Sequence, residues 1–360
     1  MKRVLLLLPG AFEIFGGIQL YNRLLIKAFA DLHVDCTVLL LNDRPGEIDR
    51  RYFSEGTVVK TFGRSKLKFA MAAVRAVITQ RPDVVIFGHV NFAPLVAISR
   101  LWGAKSWVFV YGIEFWRRLS ILGRLSLRRM DRIISISEFT LRKGVELNGI
   151  RKASFHIVPC ALDPLWEEEF RAAASKARNG SHSMLTVARL SASEKYKGID
   201  VVIRALPAIA ERVPAVKYVI VGDGDDRPRL EQLARDLGVT NHVDFRGRVG
   251  VRELGTTYRD SALFVMPSSK EGFGIVFLEA AFFEVPSIGA RYGGIPEVID
   301  ETTGVLVEYG DVDEIARAAT DLLLDSDKCN SLGVAARARL QDRFSFMRLR
   351  ENIQTLLATQ

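Results

Sequence analysis

Cysteine and histidine are scarce, at three and five residues in a chain of 360. Cys36, Cys160 and Cys329 are far apart, odd in number and in no metal or redox spacing, which points to a reducing compartment. Long apolar runs are also missing. The first, Val4 to Leu8, is five residues stopped by Pro9. That is strand length, no signal peptide is evident, and nothing reaches the length needed to span a bilayer. The glycines after this first strand lack the dinucleotide-binding spacing. No repeat of fixed period occurs.

The rest is a soluble globular composition, 48% apolar and 26% charged, too long for one ordinary core. Charge is uneven. Residues 1–160 hold 25 Lys and Arg against 12 Asp and Glu, a net +13, whereas the remainder carries 25 against 30. A basic first half suits an anionic partner, either a membrane surface or a polyanion.

Apolar strand-length runs alternate with helical periods twice over, predicting an α/β protein of two doubly wound domains. The first runs over 1–163 and the second over 183–342. The charged, alanine-rich stretch 164–182 reads as a linker, and 343–360 as a terminal helix. The segment from Trp116 to Arg132 reads as an amphipathic basic helix, with Arg117, Arg118, Arg124, Arg128 and Arg129 among leucines, suited to acidic lipid headgroups. A solvated charged face is the competing reading.

Glycines and carboxylates recur where strands end. Gly16 and Gly17 follow the first strand, and Tyr111-Gly112-Ile113-Glu114 ends a later one. Glu271-Gly272-Phe273-Gly274 lies between the strand ending at Met266 and an apolar helix carrying Glu279. Such turns admit close approach by a polar ligand, and ligands of doubly wound sheets sit at strand carboxyl ends. Arg189, Lys195 and Lys197 are fixed cations near another strand end and suit a diphosphate. Gly222-Asp223-Gly224-Asp225 could be an Asp-x-Asp metal site, although solvated turn acids are the simpler reading. His89, in Gly88-His89-Val90, fits a structural or a functional role equally.

Taken together, Ala188-Arg189-Leu190, Glu194-Lys195-Tyr196-Lys197-Gly198, Gly222-Asp223-Gly224 and the two glutamates at 271 and 279 resemble the retaining nucleotide-sugar glycosyltransferases of family 4. The resemblance covers essentially the whole chain. It implies the GT-B fold, two Rossmann-like domains facing across a cleft, with the final helix crossing back to an acceptor-binding first domain. It further implies that Arg189 and Lys195 bind the donor diphosphate and stabilise the leaving group without a divalent cation or other cofactor. Glu271, with the amides of Gly272, Phe273 and Gly274, would grip the donor sugar. Glu279 would hold the ribose, Gly222 and Gly224 would line the nucleotide site, and Gly16 and Gly17 would lie beside the diphosphate. Tyr111, Glu114 and His89 are the candidates for acceptor or sugar contact. Members of the family often carry a histidine in the motif that here reads Tyr111 to Glu114, and Val158-Pro-Cys160-Ala161-Leu-Asp163 lacks their usual Asn-Gly.

The resemblance favours transfer of mannose from GDP-mannose to a lipid-linked or polysaccharide-precursor acceptor, as in many bacterial members, at the cytoplasmic face of a membrane. A UDP-sugar donor is the alternative within the class. A nucleotide-sugar 2-epimerase would need more histidine and acid at the cleft, and a glycogen-type phosphorylase far greater length. Outside enzymes stand a basic nucleic-acid-binding protein, for which no motif is found, and a silent glycan-binding relative.

Overall fold

The computed structural model describes residues 2–13, 16–150, 155–174 and 182–359. It divides into two compact units, Met1–Asp163 with Phe346–Gln360, and Pro164–Ser345.

In the first unit seven strands lie parallel: β1 (Arg3–Leu8), β2 (Asp35–Leu40), β3 (Val58–Thr61), β4 (Val84–Phe87), β5 (Lys105–Val110), β6 (Arg132–Ser135) and β7 (Phe155–Ile157). Their order is β3-β2-β1-β4-β5-β6-β7. In β1, β2 and β5 every residue after the first is buried. Helices cover both faces of such a sheet, so its strands read as unbroken apolar runs. The helices are α1 (Gly17–Asp31), α2 (Lys66–Gln80), α3 (Val96–Leu101), α4 (Ile121–Leu127) and α5 (Glu138–Asn148). Ser137 caps α5 by accepting from the Thr140 amide at 3.2 Å, and Gly149 at φ +61° ends it.

The second unit opens with α6 (Pro164–Ala174) and carries six strands, β8 (Ser183–Val187), β9 (Lys217–Val221), β10 (Val243–Gly247), β11 (Leu263–Met266), β12 (Ser287–Ala290) and β13 (Gly304–Val307). These are parallel in the order β10-β9-β8-β11-β12-β13. Around them run α7 (Ile199–Arg212), α8 (Arg227–Asp236), α9 (Val251–Arg259), α10 (Ile275–Phe282), α11 (Ile295–Val298), α12 (Val312–Leu324) and α13 (Ser326–Arg343). The last helix, α14 (Phe346–Ala358), belongs to the first unit, where it packs on α1. The Arg132 guanidinium donates to the Thr359 carbonyl at 2.7 Å near its end.

Strand order reverses once in each sheet, between β1 and β4 and between β8 and β11. Those two switch points are where loops leave in opposite directions and open a crevice above the sheet.

Two sequence expectations need correction. The linker over 164–182 is helical as far as Ala174, and residues 175–181 lie outside those described. Helix α6 is anchored by Phe170, fully buried with its ring against Tyr258, Phe282 and Phe283. Buried Ala173 and the Arg259 guanidinium, which donates to its carbonyl at 3.1 Å, add to that anchor. The basic helix from Trp116 to Arg132 is helical only over Ile121–Leu127. Upstream, Asn148 of α5 accepts from the Leu119 amide at 3.0 Å and donates to the Arg117 carbonyl at 3.4 Å, tying that backbone into an irregular path before the Ser120 cap. After β4 the chain makes a 3-10 turn over Val90–Leu95, with Pro94 inside it, before α3 begins at Val96.

Candidate functional site

At the switch point of the second unit three loops are fastened backbone to backbone. The turn after β9 lies against the end of β8: a Cβ on Gly222 would sit 1.8 Å from the Ala188 carbonyl oxygen, and one on Gly224 2.2 Å from that of Leu190. The Leu190 amide donates to the Asp223 carbonyl at 3.1 Å and the Asp226 amide to Leu190 at 2.8 Å. Gly222 and Gly224 therefore place the chain on either side of Arg189. Acids of the same turn are occupied as anchors: Asp225 accepts from the Ala192 amide at 2.9 Å, and Asp226 binds the Arg229 guanidinium at 2.6 Å. Among the described residues no three His, Cys, Asp or Glu are grouped to hold a metal ion.

The turn Ala192–Lys197 is fastened to the end of β11. The Ser269 amide donates to the Tyr196 carbonyl at 2.8 Å, and Gly198, at φ +76°, passes so close to Pro267 that a Cβ would meet its carbonyl oxygen at 2.7 Å. Glu271 follows. Its carbonyl accepts from the Gly294 amide at 2.8 Å, and a Cβ on Gly293, at φ +70°, would lie 2.3 Å from that same oxygen. The pair Gly293-Gly294 thus sets the path of the Glu271 loop. Sequence reasoning passed over it, although two glycines between β12 and Pro296 were the signal.

These locks bring Arg189, Glu194, Tyr196, Lys197 and Glu271 together. Glu194 accepts from the Arg189 guanidinium, and its second oxygen lies 3.7 Å from Lys197 Nζ. Burial raises the Glu271 pKa above the usual carboxylate range; Lys197 opposes this and Glu194 adds to it. Burial and both carboxylates push the Tyr196 hydroxyl up to about 12, so it stays protonated. Lys197, not Lys195, is the lysine brought to Glu271. Lys195 is exposed and makes no ion pair among the described residues. In a 3-10 turn residues i and i+3 share a side, so Lys197 falls beside Glu194 and Lys195 does not, which spacing alone did not reveal.

Glu279, 4% exposed, lies on α10 and accepts from the Tyr258 hydroxyl at 2.8 Å. Burial and this carboxylate hold Tyr258 protonated. Phe273 is buried against Phe344, edge to face, and Gly274, at φ +91°, starts α10.

In the first unit the loop after β1 wraps a buried carboxylate. Asp43 accepts from the amides of Ala11 (2.8 Å), Phe12 (2.7 Å) and Glu13 (2.7 Å). Asn22 on α1 donates to the Gly10 carbonyl at 2.8 Å, and Arg23 to that of Ala11 at 3.0 Å. Gly16 caps α1 and Gly17 is its first residue. No motif marked Asp43 in the sequence, because only the fold brings it 30 residues back to the loop.

Across the switch point from that loop stands His89, following β4. Its Nδ1 accepts from the Asn91 amide at 3.1 Å, which leaves the ring proton of the neutral form on Nε2. Burial and Arg117 lower its pKa. The two other acceptor candidates have internal partners. Tyr111, 6% exposed, donates to Asn22 Oδ1 at 2.9 Å, and Glu114 accepts from the amides of Tyr111 (2.6 Å) and Gly112 (3.2 Å). They shape the wall from behind. Burial raises the Glu114 pKa, and its amide bonds oppose that rise.

Two doubly wound units with cations, a carboxylate and glycine turns at the carboxyl ends of their strands define a sugar-nucleotide transferase architecture. Residues 15–165 match the family model for Glycosyltransferase Family 4, and residues 168–339 that for Glycosyl transferases group 1. The chain is 34% identical over 270 residues, 71% of each chain, to the GDP-mannose-dependent alpha-(1-6)-phosphatidylinositol monomannoside mannosyltransferase of Mycolicibacterium smegmatis. It is 28% identical over 325 residues, 85% of this chain and 83% of the relative, to the N-acetyl-alpha-D-glucosaminyl L-malate synthase of Bacillus anthracis. Among solved structures, HepE of Anabaena in complex with UDP superposes with a TM-score of 0.80 at 19% identity over the whole of both chains. This chain belongs to the family 4 glycosyltransferases. It has the GT-B fold and is a glycosyltransferase of the hexosyl-transferring class.

Proposed function

We propose that the protein transfers a mannosyl residue from GDP-mannose, with retention of configuration and without a divalent cation, to a lipid-linked or polysaccharide-precursor acceptor. The donor rests on the GDP-mannose-dependent relatives, 34% identical over 71% of the chain. Cleavage of the sugar–phosphate bond builds negative charge on the leaving diphosphate, and Arg189 and Lys197 are the cations fastened at the strand ends to receive it. Glu271, with the amides of Gly272, Phe273 and Gly274, holds the sugar, and Glu279 the ribose. Gly16 and Gly17 offer the start of α1 to the same ligand. His89, neutral with its Nε2 proton available, serves the acceptor, while Tyr111 and Glu114 act as positioning residues. The second reading keeps this chemistry with a UDP-sugar donor; a similar chain named for an N-acetylglucosaminyl product supports a donor sugar other than mannose.

A lipid-linked acceptor has its own support in the first unit. Helix α2 carries a buried stripe, Phe69, Ala73, Ala76 and Val77, and a second apolar stripe on its outer side. In that outer stripe Leu67 is 70% and Met71 56% exposed, with Val74 and Ile78 continuing it. Residues Leu101 and Trp102 at the end of α3 and Ile121, Leu122 and Leu125 of α4 are exposed too. The three helices share one core cluster on the sheet, so these side chains stand on the same side of it. Between residues 56 and 130 there are thirteen Lys and Arg and two acids, Asp83 and Glu114, and both acids accept backbone amides. An apolar face ringed by cations suits an anionic bilayer.

Calorimetric titration with GDP, UDP, ADP and their sugar conjugates, without and then with magnesium, tests the reading. Selective, metal-independent binding of GDP and GDP-mannose is expected. Arg189→Ala and Lys197→Met should each lower turnover by about 100- to 1000-fold, with Lys195→Met close to wild type. Preference for UDP would establish the second reading, and a larger loss at Lys195 than at Lys197 would return the diphosphate role to Lys195.

A further inference from the structure

The cations proposed for the diphosphate already have an anion. Glu194 lies in a kinked turn, at φ −116° and ψ 26°, with its side chain 12% exposed. One carboxylate oxygen accepts from Arg189, and the other sits 3.7 Å from Lys197 Nζ, buried and without a hydrogen-bond partner among the described residues. A carboxylate so placed neutralises both cations while leaving half its own hydrogen-bonding capacity unmet. Such an arrangement is made to be exchanged. Arg189 is 57% exposed and free to turn away.

Resting on the donor-site reading above, we infer that Glu194 is a resident counter-ion of Arg189 and Lys197, displaced by the donor diphosphate and returning to expel the nucleoside diphosphate after transfer. A diphosphate bound by both cations leaves Glu194 facing another anion, and like charges so close oppose binding. The site thereby holds its product less tightly than two cations alone would, which favours release after transfer. Glu194 is thus a specificity-determining residue for the charge carried by the ligand, with no part in recognising the base.

The full chain is titrated calorimetrically with inorganic pyrophosphate, GDP, UDP and ADP, and with the corresponding nucleosides, as wild type, Glu194→Gln, Glu194→Asp and Glu194→Ala. Glu194→Gln should bind the diphosphates accepted by the wild type about tenfold more tightly, with slower dissociation, while nucleoside binding stays unchanged. Glu194→Asp keeps the charge and should remain near wild type. In a Lys197→Met background the gain should shrink. Glu194→Ala reports the same gain if the glutamine variant folds poorly. Equal or weaker diphosphate binding by Glu194→Gln and Glu194→Ala, with a wild type that does bind, overturns this inference alone. A wild type that binds no diphosphate overturns the donor-site reading and this inference with it.

Discussion

Glu271 shows what a single position inherits from its neighbours. Burial raises its pKa, Lys197 lowers it and Glu194 raises it again. An acid whose folded pKa exceeds its unfolded value contributes stability at low pH, and that contribution is lost as pH rises from the ordinary carboxylate range through the folded value. If ionised Glu271 is needed for transfer, the acid limb of kcat/KM lies above the ordinary carboxylate range. Lys197→Met removes the lowering charge and should move that limb to higher pH. Glu194→Gln removes a raising charge and should move it to lower pH. Opposite shifts from two substitutions on one turn would assign the limb to Glu271, and a limb that stays put in both would assign it elsewhere.

At the scale of elements, the site is a product of loops sewn to one another. The glycines were legible in the sequence as turns, but several serve as points where two backbones touch. Gly293 is the sharpest case, since a methyl there would both oppose φ +70° and press on the Glu271 carbonyl at 2.3 Å. Gly293→Ala should destabilise the protein by about 2 kcal/mol or more and lower turnover, whereas Gly46→Ala, with nothing within 4 Å, should stay within about 0.5 kcal/mol. Thermal melts with initial rates read both. The strand and helix order was visible because buried parallel strands are apolar throughout, as in Val4 to Leu8. Edge strand β3, whose residues alternate between exposed and half-buried, left no such mark. Helix α6 was hidden because its docking depends on Phe170 meeting rings more than 80 residues away. Glu271 and Glu279 stood out in the sequence as carboxylates bracketing a glycine turn, whereas the approach of Lys197 rather than Lys195 to Glu194 left no mark in the spacing. That choice is made by how a 3-10 turn faces a loop from another strand.

For the whole molecule the uneven charge is the property that matters most. The excess of cations in the first half gathers on a segment whose two acids are held by backbone amides, and apolar side chains stand exposed among those cations. None of the described helices is long and apolar enough to cross a membrane, and the exposed basic and apolar face is suited to docking on an anionic surface. There each basic residue near anionic headgroups contributes about 1 kcal/mol. The protein should sediment with phosphatidylserine or phosphatidylglycerol vesicles at low salt and be released as salt rises. Changing Arg117, Arg118, Arg128 and Arg129 together to serine should weaken binding by about two to three orders of magnitude, and changing Ile121, Leu122 and Leu125 to serine should weaken it with little change in salt dependence. Arg124, half-buried on α4, is left intact to spare the fold. Soluble-acceptor activity should survive both sets of changes and activity on vesicle-borne acceptor should fall, because only the second requires docking. A wild type that ignores anionic vesicles at low salt would make the basic face a solvated surface and leave the acceptor to be sought among soluble glycans.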